Sequence, residues 1–263
     1  GLKNKLEQVL HSSRINREFP KRIYVVEQKA NLYENVWQTF LQSQQVEDTN
    51  PTPHRDKAVL VVPCDAPLIT PHEVEFFISN ADMNRYDHVL GLVSRKKLRH
   101  FYPHDGKPGI KMAYLHIFED SFRINNLHLV KPLRIENREY IEKMYQYRYQ
   151  RNFKNLVLFG LSVFGKDKAK HYKNYIGLQL CLFFGGLGLE VMVNYFRKLN
   201  PKKELEETIS TIMKTRFSAL EVPFPGAALD IDNAKDYEAM KTRFDEWKKY
   251  LRITPNTNIE KYS

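Results

Sequence analysis

The chain of 263 residues carries 41 Lys and Arg against 31 Asp and Glu, a formal net charge of +10, and 42% of its residues are hydrophobic. This length and composition predict a globular protein with a sizeable core. Two cysteines, Cys64 and Cys181, are too few for a disulfide framework or a thiolate metal site. The first residues contain no sustained apolar run, which predicts no signal peptide and a cytoplasmic location.

The positive charge favours anionic partners such as nucleotides, sugar phosphates, nucleic acid or acidic lipid. Its basic residues are spread along the chain, which is typical of solvated surfaces. No basic recognition helix or aromatic RNA-binding strand accompanies them, so the sequence predicts no nucleic-acid partner, and nucleic-acid binding remains an alternative suggested by charge alone.

Periodicity predicts two helices and one strand in the N-terminal region. Apolar residues recur at helical spacing from Leu2 to Leu10, and again over Asn31–Gln42. Between them, Arg22–Val26 has the composition of a short buried strand. The polar segment 43–56 contains two prolines and is predicted to be a loop.

The segment that follows predicts strands alternating with helices. Ala58–Pro63 is apolar and mostly β-branched, as in a strand buried on both faces of a parallel sheet. Thr70 is a candidate N-cap for a helix that runs to about Asn80, with Glu73 closing a capping box. Further strands are predicted at 88–94, 113–118 and 127–130, and a helix at 135–148. This alternation predicts a parallel α/β sheet.

From residue 151 onward the pattern is mostly helical. The most apolar stretch, 175–189, is shorter than the roughly 20 residues of a membrane span and predicts a buried or dimer-forming helix. Lysines just before it leave a role at a membrane surface as a less favoured alternative. A helix at 201–213 capped by Asn200, a strand at 218–222 and a helix at 234–250 complete the prediction.

One acidic residue stands at the position where α/β proteins bind ligands. Asp65 comes directly after the predicted strand 58–63, and the carboxyl ends of such strands form the binding edge of the sheet. From the residues alone, Asp65 is equally a ligand-binding acid or a cap for the next turn.

Two motifs resemble those of nucleotidyltransferases of the molybdenum-cofactor guanylyltransferase-like group. Val61-Val-Pro-Cys-Asp-Ala-Pro-Leu-Ile-Thr70 resembles the family's "cDxPlltpe" signature, and Leu229-Asp-Ile-Asp-Asn-Ala-Lys-Asp-Tyr237 resembles "xDiDtpeDl". The resemblance implies that Asp65 and Asp232 are catalytic and hold Mg²⁺. It also places Asp236 at the acid of the following helix turn, whereas Asp230 has no counterpart.

Weaker matches imply four substrate-binding residues. Asn35 lies in a segment that resembles "slxeNl", although a buried polar residue or a cap is the alternative. Asn126 takes the asparagine slot of a "ggNlfll.p" strand whose two glycines are absent. Arg151 and Lys154 stand where the family has a basic pair that could meet substrate phosphates, and a solvated helix face is equally compatible.

The resemblance implies an α/β fold, a three-layer Rossmann-like nucleotidyltransferase sheet with an added helical segment. Residues 1–150 would form the core, 151–215 a helical insertion, and 216–263 the strand and helix that complete the core. The implied reaction transfers a nucleoside monophosphate from a nucleoside triphosphate to a small anionic acceptor, phosphorylated or hydroxyl-bearing, with release of pyrophosphate.

One feature of the family has no match. Its members begin with a strand and a glycine-rich loop that holds the nucleotide phosphates, and neither precedes Leu2. The expectation is therefore a shortened product of a longer protein, or a non-catalytic relative that binds a nucleotide or a protein. The resemblance does not identify the base, the acceptor or the oligomeric state.

Overall fold

A computed structural model describes residues 2–12, 23–29, 31–44, 54–138, 140–141 and 169–258. The chain divides into two compact units, Gly1–His54 and Arg55–Ser263, each described by itself. This division differs from the three segments expected from the sequence, which remain a prediction.

The described residues of the first unit form two helices, α1 (Leu2–Ser12) and α2 (Leu32–Gln44), at the predicted positions. Trp37, Phe40 and Leu41 of α2 are buried. The predicted strand at 22–26 is wrong for the part described, because residues 23–29 form no strand. Its side chains Ile23, Tyr24 and Val26 are exposed, so no buried sheet face is available to them.

The second unit contains a five-stranded mixed sheet with helices on both faces. Its strands are β1 (Val59–Val61), β2 (His88–Ser94), β3 (Leu115–His116), β4 (Ser121–Val130) and β5 (Phe217–Glu221). Its α-helices within the described ranges are α3 (Pro71–Asn80), α4 (Arg95–Leu98), α5 (Ala169–Gly186), α6 (Glu190–Phe196), α7 (Lys202–Met213) and α8 (Ala234–Asn258). Short 3₁₀ turns occupy Arg99–Phe101, Pro132–Arg134, Arg197–Leu199 and Gly226–Ala228.

The strand order is β1-β4-β2-β5, with β3 paired to the start of β4. β2 and β5 are parallel, but β4 is antiparallel to both β1 and β2. The expectation of an α/β sheet is confirmed, and that of an all-parallel sheet is wrong. β4 runs the other way because the residues before it return through β3, which pairs with β4 antiparallel.

The sheet has a core on each face. Val89 and Val93 of β2 pack with Phe77 of α3 and Trp247 of α8 on one face. Leu92 of the same strand packs on the other face, with Leu205 of α7. This alternation follows the period of two in a strand, and it produces the three layers that the sequence predicts.

β1 is shorter and less buried than predicted. All three of its residues are partly exposed, rather than buried on both faces. Among the described strands, β4 is its one neighbour, so β1 is an edge of the described sheet.

Helix α5 confirms the predicted helix in the most apolar stretch, but only one side of it is buried. Gly177 and Cys181 are buried, whereas Ile176, Leu182 and Phe183 are 52%, 53% and 61% exposed. No helix within the described ranges combines the length and apolar character needed to cross a bilayer.

The cap predicted for α7 is wrong. Asn200 is fully buried rather than capping, and Pro201 occupies the N-cap position. The carboxylate of Glu119 instead accepts the N–H of Lys202, at 3.1 and 3.0 Å from its two oxygens. An acid at this end also complements the helix dipole.

Candidate functional site

The loop after β1 presents Asp65 at the sheet edge. Asp65 is exposed, whereas Ala66 and Leu68 beside it are buried. The Ala66 carbonyl accepts the N–H of Ile69 at 3.2 Å, which closes a turn without help from the acid. The Asp65 side chain makes no hydrogen bond or ion pair with another described residue, so its carboxylate is available to a ligand.

A second loop, between β5 and α8, lies directly against the first. The N–H of Ile231 donates to the carbonyl oxygen of Asp65 at 3.0 Å. Asp232 is the next residue, is exposed, and makes no side-chain hydrogen bond or ion pair with any described residue. The structure therefore brings together the two segments that carry the predicted magnesium ligands, although they are far apart in sequence.

Glu73 of α3 forms hydrogen bonds with residues of both loops. It is fully buried, and its carboxylate accepts the N–H of Ala227 at 3.1 and 3.0 Å. The Thr70 N–H also donates to it, while the Thr70 hydroxyl accepts the Glu73 N–H at 3.2 Å, which confirms the predicted capping box. Burial raises the pKa of Glu73 to about 8.

Gly226 is required where these loops meet. A Cβ atom there would collide with the Leu68 carbonyl and the Glu73 carboxylate. The close approach of the two backbones thus depends on one glycine.

Arg123 of β4 anchors the second loop at Ala228 and Asp230. Its Nε donates to the Ala228 carbonyl at 2.9 Å, and its Nη2 pairs with the carboxylate of Asp230. Both charged side chains are only 13% exposed. The Asp230 carboxylate is therefore already occupied, unlike those of Asp65 and Asp232.

Asp236 belongs to the first turn of α8. Asn233 accepts the Asp236 N–H at 3.1 Å and donates its own amide to the Asp236 carboxylate at 2.6 Å. Burial raises the pKa of Asp236, and the negative charges of Asp232 and Asp230 add to this rise. Asn233 thus caps α8, and Asp236 binds the capping side chain and contributes negative charge to this edge.

The donor set suits one kind of metal site. No group of three or more His, Cys, Asp or Glu side chains among the described residues is arranged to hold a metal ion. Mg²⁺ does not need such a cage, because it is commonly held by one or two carboxylates together with substrate phosphates and waters. Asp65 and Asp232 supply two exposed, uncommitted carboxylates on joined loops, and this fits such an ion.

The structure gives Asn126 a conformational role. It lies within an irregularity of the β2–β4 pairing and has a positive φ of 58°. Asparagine tolerates this left-handed conformation better than most residues. The Asn125 side chain packs against Gly91 and accepts the Leu127 N–H at 3.2 Å, which stabilises the irregularity. The substrate-binding role of Asn126 remains a prediction.

The other predicted substrate residues lie elsewhere. Asn35 belongs to the first unit, where it lies within α2 and its side-chain oxygen accepts the N–H of Lys29 ahead of that helix. Arg151 and Lys154 lie outside the described residues. Their roles too remain predictions.

Sequence reasoning missed two residues of this site. The local sequence indicates only that Glu73 closes a capping box. It does not indicate the contact with Ala227, because that residue is 154 positions away. Nothing in the local sequence around Arg123 indicates that its side chain binds a carbonyl and a carboxylate of the second loop.

One solved structure with a similar fold is described as that of a hypothetical transferase from Thermus thermophilus. Its TM-score is 0.55 at 20% sequence identity, over 82% of this chain and 74% of that chain. At this identity, the likeness shows a shared α/β fold alone. The sequence matches no protein-family profile and no curated protein.

Proposed function

We propose that this protein is a metal-dependent nucleotidyltransferase. It would transfer a nucleoside monophosphate from a nucleoside triphosphate to a small phosphorylated or hydroxyl-bearing acceptor. An acceptor oxygen forms a bond to the α-phosphorus, the bond from that phosphorus to the bridging oxygen breaks, and pyrophosphate leaves.

The observation that carries the proposal is the 3.0 Å backbone hydrogen bond from Ile231 to Asp65. It holds together two loops that were matched to one family's motifs separately, from sequence alone. Both carboxylates that the motifs single out are exposed. Neighbouring acids have structural partners, since Asp230 binds Arg123 and Asp236 binds Asn233.

The roles of the chain's own residues follow from their contacts. Asp65 and Asp232 would hold Mg²⁺ at the carboxyl edge of β1. Arg123 and Glu73 are positioning residues: Arg123 anchors Ala228 and Asp230, and Glu73 binds the N–H of Ala227. The bound metal would supply a Lewis acid and a template for the phosphates.

Pyrophosphate release tests the proposal. The full-length protein is incubated with Mg²⁺, each common ribonucleoside triphosphate and a pool of small cellular metabolites. We expect release from at least one triphosphate. Asp65→Asn and Asp232→Asn should each lower the rate by about a hundredfold or more. Each removes a ligand of the metal ion, and a bound metal ion stabilises the charge of the transition state by several kcal/mol.

Asp245→Asn is the matched control, since Asp245 is an exposed carboxylate on α8 away from both loops. Circular dichroism should show all three variants folded. Absence of release from every triphosphate, or unchanged rates in both site variants, would refute the proposed function.

A further inference from the structure

A polar cleft of about 400 Å³ lies between the end of β2 and helix α6. The residues that line it come from α4, the 3₁₀ turn after it, the start of β4, α6 and the turn after α6. They are Arg95, Lys96, Arg99, Tyr102, Asp120, Ser121, Glu190, Asn194 and Arg197. Four are basic and two are acidic, which leaves an excess of positive charge.

Two of the four cations are already paired. Arg95 lies 2.9 Å from Glu190, and Lys96 lies 3.3 Å from Asp120. Arg95 is also held over the ring of Tyr114, at 5.5 Å from its centroid. These ion pairs connect α4 with residues elsewhere in the lining of the cleft. The excess positive charge therefore lies on the two remaining basic residues.

Arg99 and Arg197 carry that excess. Neither has a carboxylate partner among the described residues. Arg197 is anchored by its Nε, which donates to the Ile117 carbonyl at 2.7 Å, so its terminal nitrogens remain for a ligand. Arg99 is exposed, and its side chain forms no hydrogen bond with a described residue.

The floor of the cleft has a fixed hydroxyl. Ser121 is 6% exposed and its Oγ lies 2.8 Å from Nδ1 of His116, which is 9% exposed. Burial lowers the pKa of His116; the negative charge of Glu190 opposes this, and the positive charges of Arg95 and Arg197 lower the pKa further. A neutral imidazole leaves the arginines as the charges that face a ligand.

We propose that this cleft binds the phosphate group of a phosphate monoester. Two guanidinium groups that have no carboxylate partner among the described residues match a dianion, and the guanidinium fork matches phosphate oxygens better than a lysine does. The amide of Asn194 adds a hydrogen-bond donor, and the Ser121 hydroxyl adds another when Nδ1 of His116 donates to its oxygen. The size of the cleft lies within the usual range for small-molecule sites.

The monoester can be a soluble metabolite or a lipid head group. Glu190 and Asn194 line the cleft from α6, and the same helix exposes Val191, Met192 and Tyr195, which are 77%, 42% and 66% exposed. An apolar chain attached to the phosphate could lie on that surface. In a nucleotidyltransferase this monoester would be the acceptor; that assignment rests on the proposed function, but binding to the cleft does not.

Calorimetry on the full chain at constant ionic strength tests the site, without nucleotide or metal. Two probes distinguish the sources: glycerol 3-phosphate, and phosphatidylcholine vesicles that contain phosphatidic acid. We expect saturable binding of at least one probe, weakened about tenfold by Arg99→Gln through loss of charge-assisted hydrogen bonds. Lys203→Gln, which removes an exposed cation on α7 outside the cleft, should bind as the wild type does.

Binding of glycerol 3-phosphate assigns the site to soluble monoesters, and Arg99-dependent binding of vesicles alone assigns it to a lipid head group. Asp65→Asn should leave either form of binding intact, so the cleft can pass this test even if pyrophosphate release fails. Binding of neither probe, or equal binding by wild type and Arg99→Gln, would overturn the proposal.

Discussion

Glu73 does more than cap the first turn of α3. Its carboxylate is buried where the two site loops meet, and the N–H of Ala227 donates to it. Removal from water is the main influence on its protonation, and it raises the pKa to about 8. At neutral pH the folded protein therefore keeps a proton that the unfolded chain has lost.

This shift makes stability depend on pH. The folded pKa lies above the ordinary value of 4.5, so stabilisation is complete below about pH 4.5 and is lost as pH rises toward 8. Over that window the free energy of unfolding should fall by up to about 1.4 kcal/mol per pH unit from this group. Glu73→Gln should flatten the slope, because glutamine has no proton to lose. Urea denaturation of both proteins between about pH 5 and 8 measures the difference.

Other titrating groups contribute equally to both proteins, so the difference between the two slopes isolates Glu73. Parallel slopes would show that Glu73 is ionised in the folded protein, contrary to this account.

Single residues differ in how far their roles follow from sequence. The sequence places Asp65 at the sheet edge because an apolar strand precedes it and a helix N-cap follows it. Asn126 was matched to a motif, yet its left-handed backbone is a property of the β2–β4 pairing, which local sequence does not encode. Arg123 acquires its partners from residues 228 and 230, and only the folded chain brings these near.

At the scale of elements, two histidines connect the central strands. His88 of β2 and His128 of β4 share a hydrogen bond of 3.1 Å between ring nitrogens, and the ring of Phe217 packs against His88. Burial lowers the pKa of His88 to about 3 and that of His128 to about 4. Both rings are therefore neutral within the folded sheet at physiological pH.

Acid should destabilise the sheet through this pair. The folded pKa values lie below the ordinary 6.5, so stability is complete above about pH 6.5 and is lost as pH falls toward 4. His128→Gln removes one titrating group and should reduce that loss by up to about 1.4 kcal/mol per pH unit. Urea denaturation between about pH 4.5 and 7 gives both slopes. An unchanged slope in the variant would mean that His128 is protonated in the folded state.

Helix positions were more predictable than their caps. Periodicity located α2, α3, α7 and α8 because each has an apolar side that packs on a core. The cap of α7 was missed because Glu119, 83 positions earlier, supplies it. Capping preferences consider only residues adjacent to the helix, and they favour Asn200, whose side chain is buried.

At the scale of the molecule, the α/β class and the three layers were predictable, but the direction of β4 was not. Apolar alternation shows that a segment is a strand, whereas direction depends on which neighbour it pairs with. β4 pairs with β1, β2 and β3, in each case antiparallel. Those pairings follow from the return of the chain through β3, a strand of two residues that is too short for a periodic signal.

The central claim is that Asp65 and Asp232 bind one divalent cation together with a nucleotide. Crystals of the full-length protein grown with Mn²⁺ and a nucleoside triphosphate would test it by anomalous scattering, since manganese has the same preference for oxygen ligands as magnesium. We predict one Mn²⁺ site with an oxygen of each carboxylate at about 2.1 Å, and loss of that peak in Asp65→Asn. Manganese bound elsewhere, or carboxyl groups about 10 Å or more apart where metal–oxygen distances near 2 Å are needed, would contradict the claim.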